Sequence, residues 1–137
     1  MLHRDHKVEV IRKVPLFSGC SKKELQRIAH IADEIDLRAE TELTRQGAPG
    51  SEFFVLLQGE VDVIRDGKQI DTLHAGDFFG EVALVSDHPR NATVRATTPV
   101  RALVITSASF LGLLKESPEI QLKVLQALVD RLAPDQI

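Results

Sequence analysis

Phe79-Gly80-Glu81-Val82-Ala83-Leu84-Val85 and the later run Pro89-Arg90-Asn91-Ala92-Thr93-Val94 are where the residue types of this chain add up to chemistry. A glycine and a carboxylate open a short apolar stretch of helical character. A single arginine arrives nine residues after the glutamate, at the start of a β-branched run. The start of a helix offers unpaired backbone N–H groups and a partial positive charge, which suits an anion. Gly80 lets the backbone approach a ligand closely. Arg90 brings a planar fork of donors matched to phosphate. Glu81 only accepts hydrogen bonds, so it calls for hydroxyl donors such as those of a ribose. Phosphate and sugar together suggest a nucleotide.

Residues this far apart need a scaffold to bring them together. Lys7 to Lys13 is a short helical candidate that stops before Pro15. Ser21 is a candidate N-cap with Glu24 at capping-box spacing, and Leu25, Ile28, Ala29 and Ala32 follow at helical period. From Asp33 to Thr106 the pattern changes to short alternating runs, Ile35-Asp36-Leu37, Val61-Asp62-Val63 and Val94-Arg95-Ala96. Turn signals break them up: Gln46-Gly47, Ala48-Pro49-Gly50, Gln58-Gly59, Asp66-Gly67 and Ala75-Gly76-Asp77. Asp66-Gly67 predicts a two-residue hairpin. Many short antiparallel strands at this spacing point to a closed roll or barrel. A cassette helix over about Glu81 to Ser86 interrupts two late strands. Helical pattern returns at Ser107, over Ala108 to Lys115. Ser117 and Pro118 then open a last helix that Pro134 ends.

Composition narrows the function classes. The chain has 137 residues, enough for one domain with a real core; it is 43% hydrophobic and 27% charged, with a net charge of −3. No run of five basic residues occurs, so direct nucleic-acid binding has no electrostatic footprint. The longest wholly apolar run, Phe53 to Leu57, is far too short to span a membrane. Cys20 is the only cysteine, which excludes an internal disulfide and fits a reducing, cytoplasmic setting. With neither tryptophan nor tyrosine, any purine must be covered mainly by aliphatic or cationic side chains.

The Gly80–Val94 block resembles the phosphate-binding cassette of the cyclic nucleotide-binding domain family, which includes catabolite-activator-type regulators, kinase regulatory subunits and cyclic-nucleotide-gated channels. That family's pattern is F-G-E, an apolar residue, A-L, a short loop, then P-R-x-A-[TS]-V. Phe79, Gly80, Glu81, Ala83, Leu84, Pro89, Arg90, Ala92, Thr93 and Val94 reproduce every fixed position. Gly47, Gly59 and Gly76 fall where the family turns its barrel, so the similarity covers nearly the whole chain. The resemblance implies a mainly β fold: an eight-stranded antiparallel β-roll, jelly-roll-like, with N-terminal helices, the inserted cassette helix and two C-terminal helices. In this sequence that means a single domain over 1–137, with helices in 1–32, the roll in 33–106 and helices in 107–133.

The resemblance also implies roles. Arg90 binds the cyclic phosphate and Glu81 the ribose 2′-hydroxyl. Gly80, Val82 and Ala83 contribute backbone groups, as does Ala92 at the opposite wall, and Thr93 either reaches the phosphate or is a structural strand residue. Asn91 stands where kinase-type cyclic AMP sites resemble alanine, cyclic GMP sites threonine and many bacterial regulators serine. Asparagine donates and accepts, so cyclic AMP and cyclic GMP both stay open; the bacterial look of the chain favours cyclic AMP. The implied function is a sensor that turns ligand binding into movement of its C-terminal helices, with no catalysis and no further cofactor.

Five histidines (His3, His6, His30, His74 and His88) have no ligand spacing beside a cysteine or carboxylate cluster, so no metal is expected. Cys20 has no activating base near it in sequence, and no serine stands in a G-x-S-x-G context. Leu122, Leu125, Val129 and Leu132 repeat at helical spacing. They serve either to pack the last helix on the barrel or to close over the base and pair with a twin helix in a homodimer. The downstream effector stays open. Alternatives are an interaction module on the same fold with a vacant or differently occupied pocket, and the sensor half of a DNA-binding regulator, whose helix-turn-helix has no residues left after Ile137.

Overall fold

A computed structural model describes residues 4–84 and 86–132 of the chain. Eight strands form among the described residues, paired antiparallel throughout: β1 Asp33–Leu37, β2 Glu42–Thr44, β3 Glu52–Gln58, β4 Val61–Arg65, β5 Lys68–Leu73, β6 Phe78–Phe79, β7 Thr93–Ala96 and β8 Val100–Thr106. They make two four-stranded sheets, ordered β1-β8-β3-β6 and β2-β7-β4-β5. This is the eight-stranded antiparallel roll that the turn spacing and the family resemblance imply. Ala32–Ala108 forms one compact unit; the described residues up to Ile31 and from Ser109 onward form another.

The roll closes on its own apolar face. Leu56, Val61, Val94, Ala96, Val100 and Ala102 form its buried cluster, with Ile35, Leu37, Leu43, Val63, Leu73 and Phe79 packed against it. The alternating runs seen in the sequence are the strands that send every second side chain into this cluster. β3 is apolar on nearly every residue, and Phe53 to Leu56 are all buried. The β4–β5 hairpin turns on Asp66 (φ 54°) and Gly67 (φ 79°), the left-handed pair that a two-residue hairpin requires.

The helices lie before and after the strands: α1 Arg4–Arg12, a 3-10 turn at Pro15–Phe17, α2 Lys22–His30, α3 Ser107–Glu116 and α4 Pro118–Leu132. At the start of α2 the capping box is complete. The Ser21 N–H donates to Glu24 Oε1 at 2.8 Å and the Glu24 N–H donates to Ser21 Oγ at 3.2 Å. α4 starts as expected, with Pro118 at its first position and the Ile120 N–H donating to Ser117 Oγ at 3.3 Å. Its predicted stop at Pro134 lies outside the described residues. α4 packs against the Pro15–Phe17 turn, and Lys123 pairs with the buried Glu24 of α2. Phe17 and Phe110 meet edge-tilted, 5.9 Å between ring centroids. No helix among the described residues is long and apolar enough to cross a membrane.

Two expectations change. The cassette helix is a four-residue 3-10 turn, Glu81–Leu84, and Ser86 is outside it. A 3-10 turn closes after three residues with poorer hydrogen bonds, which suits so short an insert. On α4 the buried face is Ile120, Val124 and Ala127, whereas Leu122, Leu125 and Val129 are 54%, 56% and 54% exposed. The three described members of the stripe picked out by its spacing are therefore uncovered, which removes their reading as the packing face; the side chain of its fourth member, Leu132, lies outside the described residues. Two apolar stripes share α4, and spacing alone does not rank them.

Candidate nucleotide site

The site is built where β3, β6 and the loop before β7 meet. β6 is only two residues long, and Phe79 pairs with Phe54 of β3 while their rings stack at 4.9 Å. Phe78 leans on Phe53 at 6.0 Å. These aromatic contacts hold β6 against the roll and fix where the next residue begins. Gly80 then turns the chain with φ 84°, a left-handed conformation costly for residues with a Cβ. The Ala83 N–H donates back to the Gly80 carbonyl at 3.1 Å, and Leu84 is fully buried, anchoring the far end of the turn.

Arg90 approaches from the other side on a backbone held at both its polar groups. Its N–H donates to the Ala48 carbonyl at 2.9 Å, and its carbonyl accepts from the Gly47 N–H at 2.7 Å. The residues after it are laced to the same segment. Thr44 Oγ1 donates to the Ala92 carbonyl at 3.0 Å, and the Gln46 N–H donates to Thr93 Oγ1 at 2.9 Å. Arg65 Nε donates to the Asn91 carbonyl at 2.9 Å. The Arg90 side chain is half-buried, and its Nη2 donates to the Glu52 carbonyl at 2.7 Å. Burial pushes the guanidinium below its ordinary range, with the Glu52 carboxylate opposing that. A guanidinium remains charged under such a shift, so the pocket keeps a desolvated cation with donors to spare.

Phe78 to Ala83 and His88 to Asn91 together line one cavity of about 560 Å³, within the ~300–1,000 Å³ typical of small-molecule sites. Six of the eight residues singled out in the sequence stand on this cavity: Gly80, Glu81, Val82, Ala83, Arg90 and Asn91. Oε2 of Glu81 is buried from solvent. Ala92 and Thr93 are not on the lining; Ala92 is buried at 6% exposure, and Thr93 Oγ1 accepts from the Gln46 N–H. Sequence reasoning missed His88 as a lining residue and the Glu52 carbonyl as the partner of Arg90. A backbone carbonyl carries no side-chain signal, and His88 reads as an ordinary loop histidine. A second groove of about 620 Å³ lies between α2 and α3, lined by Lys23, Arg27, His30, Ser109 and Glu116 among others. Arg27 and Glu116 pair at 3.7 Å there, so its charges are partly cancelled.

The profile described as "Cyclic nucleotide-binding domain" matches residues 34–117. A cAMP-dependent protein kinase regulatory subunit of Schizosaccharomyces pombe is 35% identical over 77% of the chain, and a cyclic nucleotide-gated potassium channel of Rhizobium etli is 32% identical over 90% of it. The chain spans 26% of the first relative and 34% of the second. Among solved structures, the N-terminal domain of a transcriptional regulator from Streptomyces coelicolor A3(2) superposes with a TM-score of 0.86 at 26% identity, covering 93% of this chain and 94% of that one.

Proposed function

This chain belongs to the cyclic nucleotide-binding domain family, and from that premise we propose that its cassette pocket receives cyclic AMP, with cyclic GMP as the second candidate. The observation that carries the proposal is the convergence of the Arg90 guanidinium and the Gly80–Ala83 turn on one cavity. Arg90 neutralises the cyclic phosphate. The backbone of Gly80, Val82 and Ala83 closes around it. Glu81 accepts the ribose 2′-hydroxyl, and Asn91 faces the purine side. Ala92 and Thr93 act from behind the wall, by holding the strand that presents Arg90.

Residues 1–137 work in this proposal as one regulatory domain, in the cytoplasm, without catalysis and without a further cofactor. The names of the relatives (a kinase regulatory subunit, a channel and a transcriptional regulator) support a regulatory role with varied effectors. Ligand binding is passed on as a movement of α3 and α4, which requires that their alternative positions differ in ligand affinity. The uncovered Leu122, Leu125 and Val129 favour a homodimer through α4.

Calorimetric titration of the wild type and Arg90→Ala with cyclic AMP and cyclic GMP tests the core of the proposal. A hydrogen bond to a charged group is worth about 1.5–3 kcal/mol, so the variant should bind about ten to a hundred times more weakly. Equal affinities for the two proteins would refute the role of Arg90.

A further inference from the structure

We propose that Gly50 is a positioning residue of the nucleotide site, whose missing side chain is the seat of the Arg90 guanidinium. A Cβ built on Gly50 would lie 1.9 Å from Nε of Arg90, 2.5 Å from Cζ and 2.7 Å from Cδ. Its three nearest neighbours all belong to that one side chain. Nη1 of the same guanidinium is 2.8 Å from where a Cβ on Gly80 would stand. The Arg90 side chain thus lies against two glycines, forty and ten residues before it in the chain, with Nη2 held by the Glu52 carbonyl.

The two glycines are not equivalent. Gly80 has a left-handed backbone; Gly50 is absent from the positive-φ residues, so its own conformation would accept alanine. What excludes a side chain at position 50 is Arg90. A flexible arginine tip yields more readily than a strand, so alanine at 50 should leave the roll intact and evict the guanidinium. The burden falls on ligand binding and spares folding. A guanidinium that recognises phosphate by a planar fork loses that geometry when it is turned out of its seat.

The affinity part of this inference rests on the nucleotide reading of the pocket; the seat itself does not, and the test separates them. The Arg90 Nε–Hε resonance, identified by its loss in Arg90→Ala, is followed in wild type and Gly50→Ala without ligand. Cyclic AMP titrations are then run on wild type, both single variants and the double variant. The expected results are a shifted Nε–Hε resonance in Gly50→Ala, affinity reduced about tenfold or more, and no further loss when Gly50→Ala is added to Arg90→Ala. An unmoved resonance, or an equal loss in both backgrounds, would overturn the inference. A wild type that ignores cyclic nucleotides, together with a resonance that moves, would sink the nucleotide reading and leave the seat standing. If Gly50→Ala fails to fold, restored folding in the double variant supports the seat, and failure of both overturns it.

Discussion

Replacing Gly80 by alanine should destabilise the roll through two separable effects, and the structure supplies a control for each. The first is the backbone: φ 84° places a Cβ in the left-handed region, at a cost of about 1–2 kcal/mol. The second is steric. The new Cβ would stand 2.8 Å from the Glu52 carbonyl oxygen, which belongs to β3. Glu52 begins β3, inside the sheet, and is paired with Thr106 of β8, so that oxygen moves only if this end of β3 moves. Crowding of this kind typically costs about 1–3 kcal/mol. Gly76 isolates the first effect, since its φ is 95° and a Cβ there would meet nothing within 4 Å. Gly76→Ala should therefore lose about 1–2 kcal/mol, and Gly80→Ala about 2–5 kcal/mol. At ~4 °C per kcal/mol for a chain of this size, the melting temperatures of the two variants should differ by about 4–12 °C. The chain has no tryptophan and no tyrosine, so far-UV circular dichroism is the practical probe of melting. Equal melting temperatures for the two variants would show that Gly80 does not crowd β3, and the geometry assigned to the cassette would fall with it.

Three other outcomes follow from the same contacts. If Glu81 accepts the ribose 2′-hydroxyl, 2′-deoxy cyclic AMP should bind roughly ten to a hundred times more weakly than cyclic AMP to the wild type, with a much smaller gap in Glu81→Ala; an undiminished gap there refutes the assignment. Lys123 and the Ser21 N–H hold the Glu24 carboxyl below its ordinary range, so the stability it contributes is present above its unfolded pKa of about 4.3 and is lost as pH falls through the lower folded value. The melting temperature of wild type should thus fall more steeply under acid than that of Lys123→Met, and parallel acid profiles would contradict this. Lys123 itself is raised by Glu24, so its contribution fades only when pH rises through that raised value, above about 10.4. Finally, a homodimer through α4 should be weakened by Leu125→Glu, read as a shift toward monomer in sedimentation; an unchanged distribution removes α4 as the contact.

How legible each feature was depended on how far its cause lies along the chain. The capping box at Ser21 and Glu24 and the hairpin at Asp66-Gly67 are local, made by residues at most three apart, and the sequence states them directly. The cassette was legible for a different reason: Gly80, Glu81 and Arg90 fall at a spacing in which chemistry and family pattern coincide. Its 3-10 character was not, because four residues give no periodicity with which to tell one helical turn from another. The α4 stripe misled for a related reason. Ile120, Val124 and Ala127 and the set Leu122, Leu125 and Val129 both obey helical spacing, and only tertiary packing decides which is covered. The Arg90 to Gly50 approach joins positions forty apart, and a glycine in an Ala-Pro-Gly turn already has an ordinary explanation.

The two walls of the pocket are held very differently, and that difference bears on how a ligand could be sensed. On one wall, Arg90 is fixed through its N–H, its carbonyl and its guanidinium, and the residues after it are tied to Thr44 and Gln46. The opposite wall is a 3-10 turn that carries the Ala83-to-Gly80 hydrogen bond and buries Ala83 and Leu84. A ligand bridging the two gains little by reorganising the first wall, which already stands in place. We expect its differential affinity to come from the turn, whose 3-10 hydrogen bonding has the weaker geometry. To carry a two-state equilibrium from 1:99 to 99:1, that difference must reach about 10⁴-fold. Contacts of Glu81 and the Gly80–Ala83 amides made in one arrangement of the turn and lost in the other are of the kind that can supply it. Arg90, already held in place by its backbone and by Glu52, is expected to set the affinity and leave the switch to the turn.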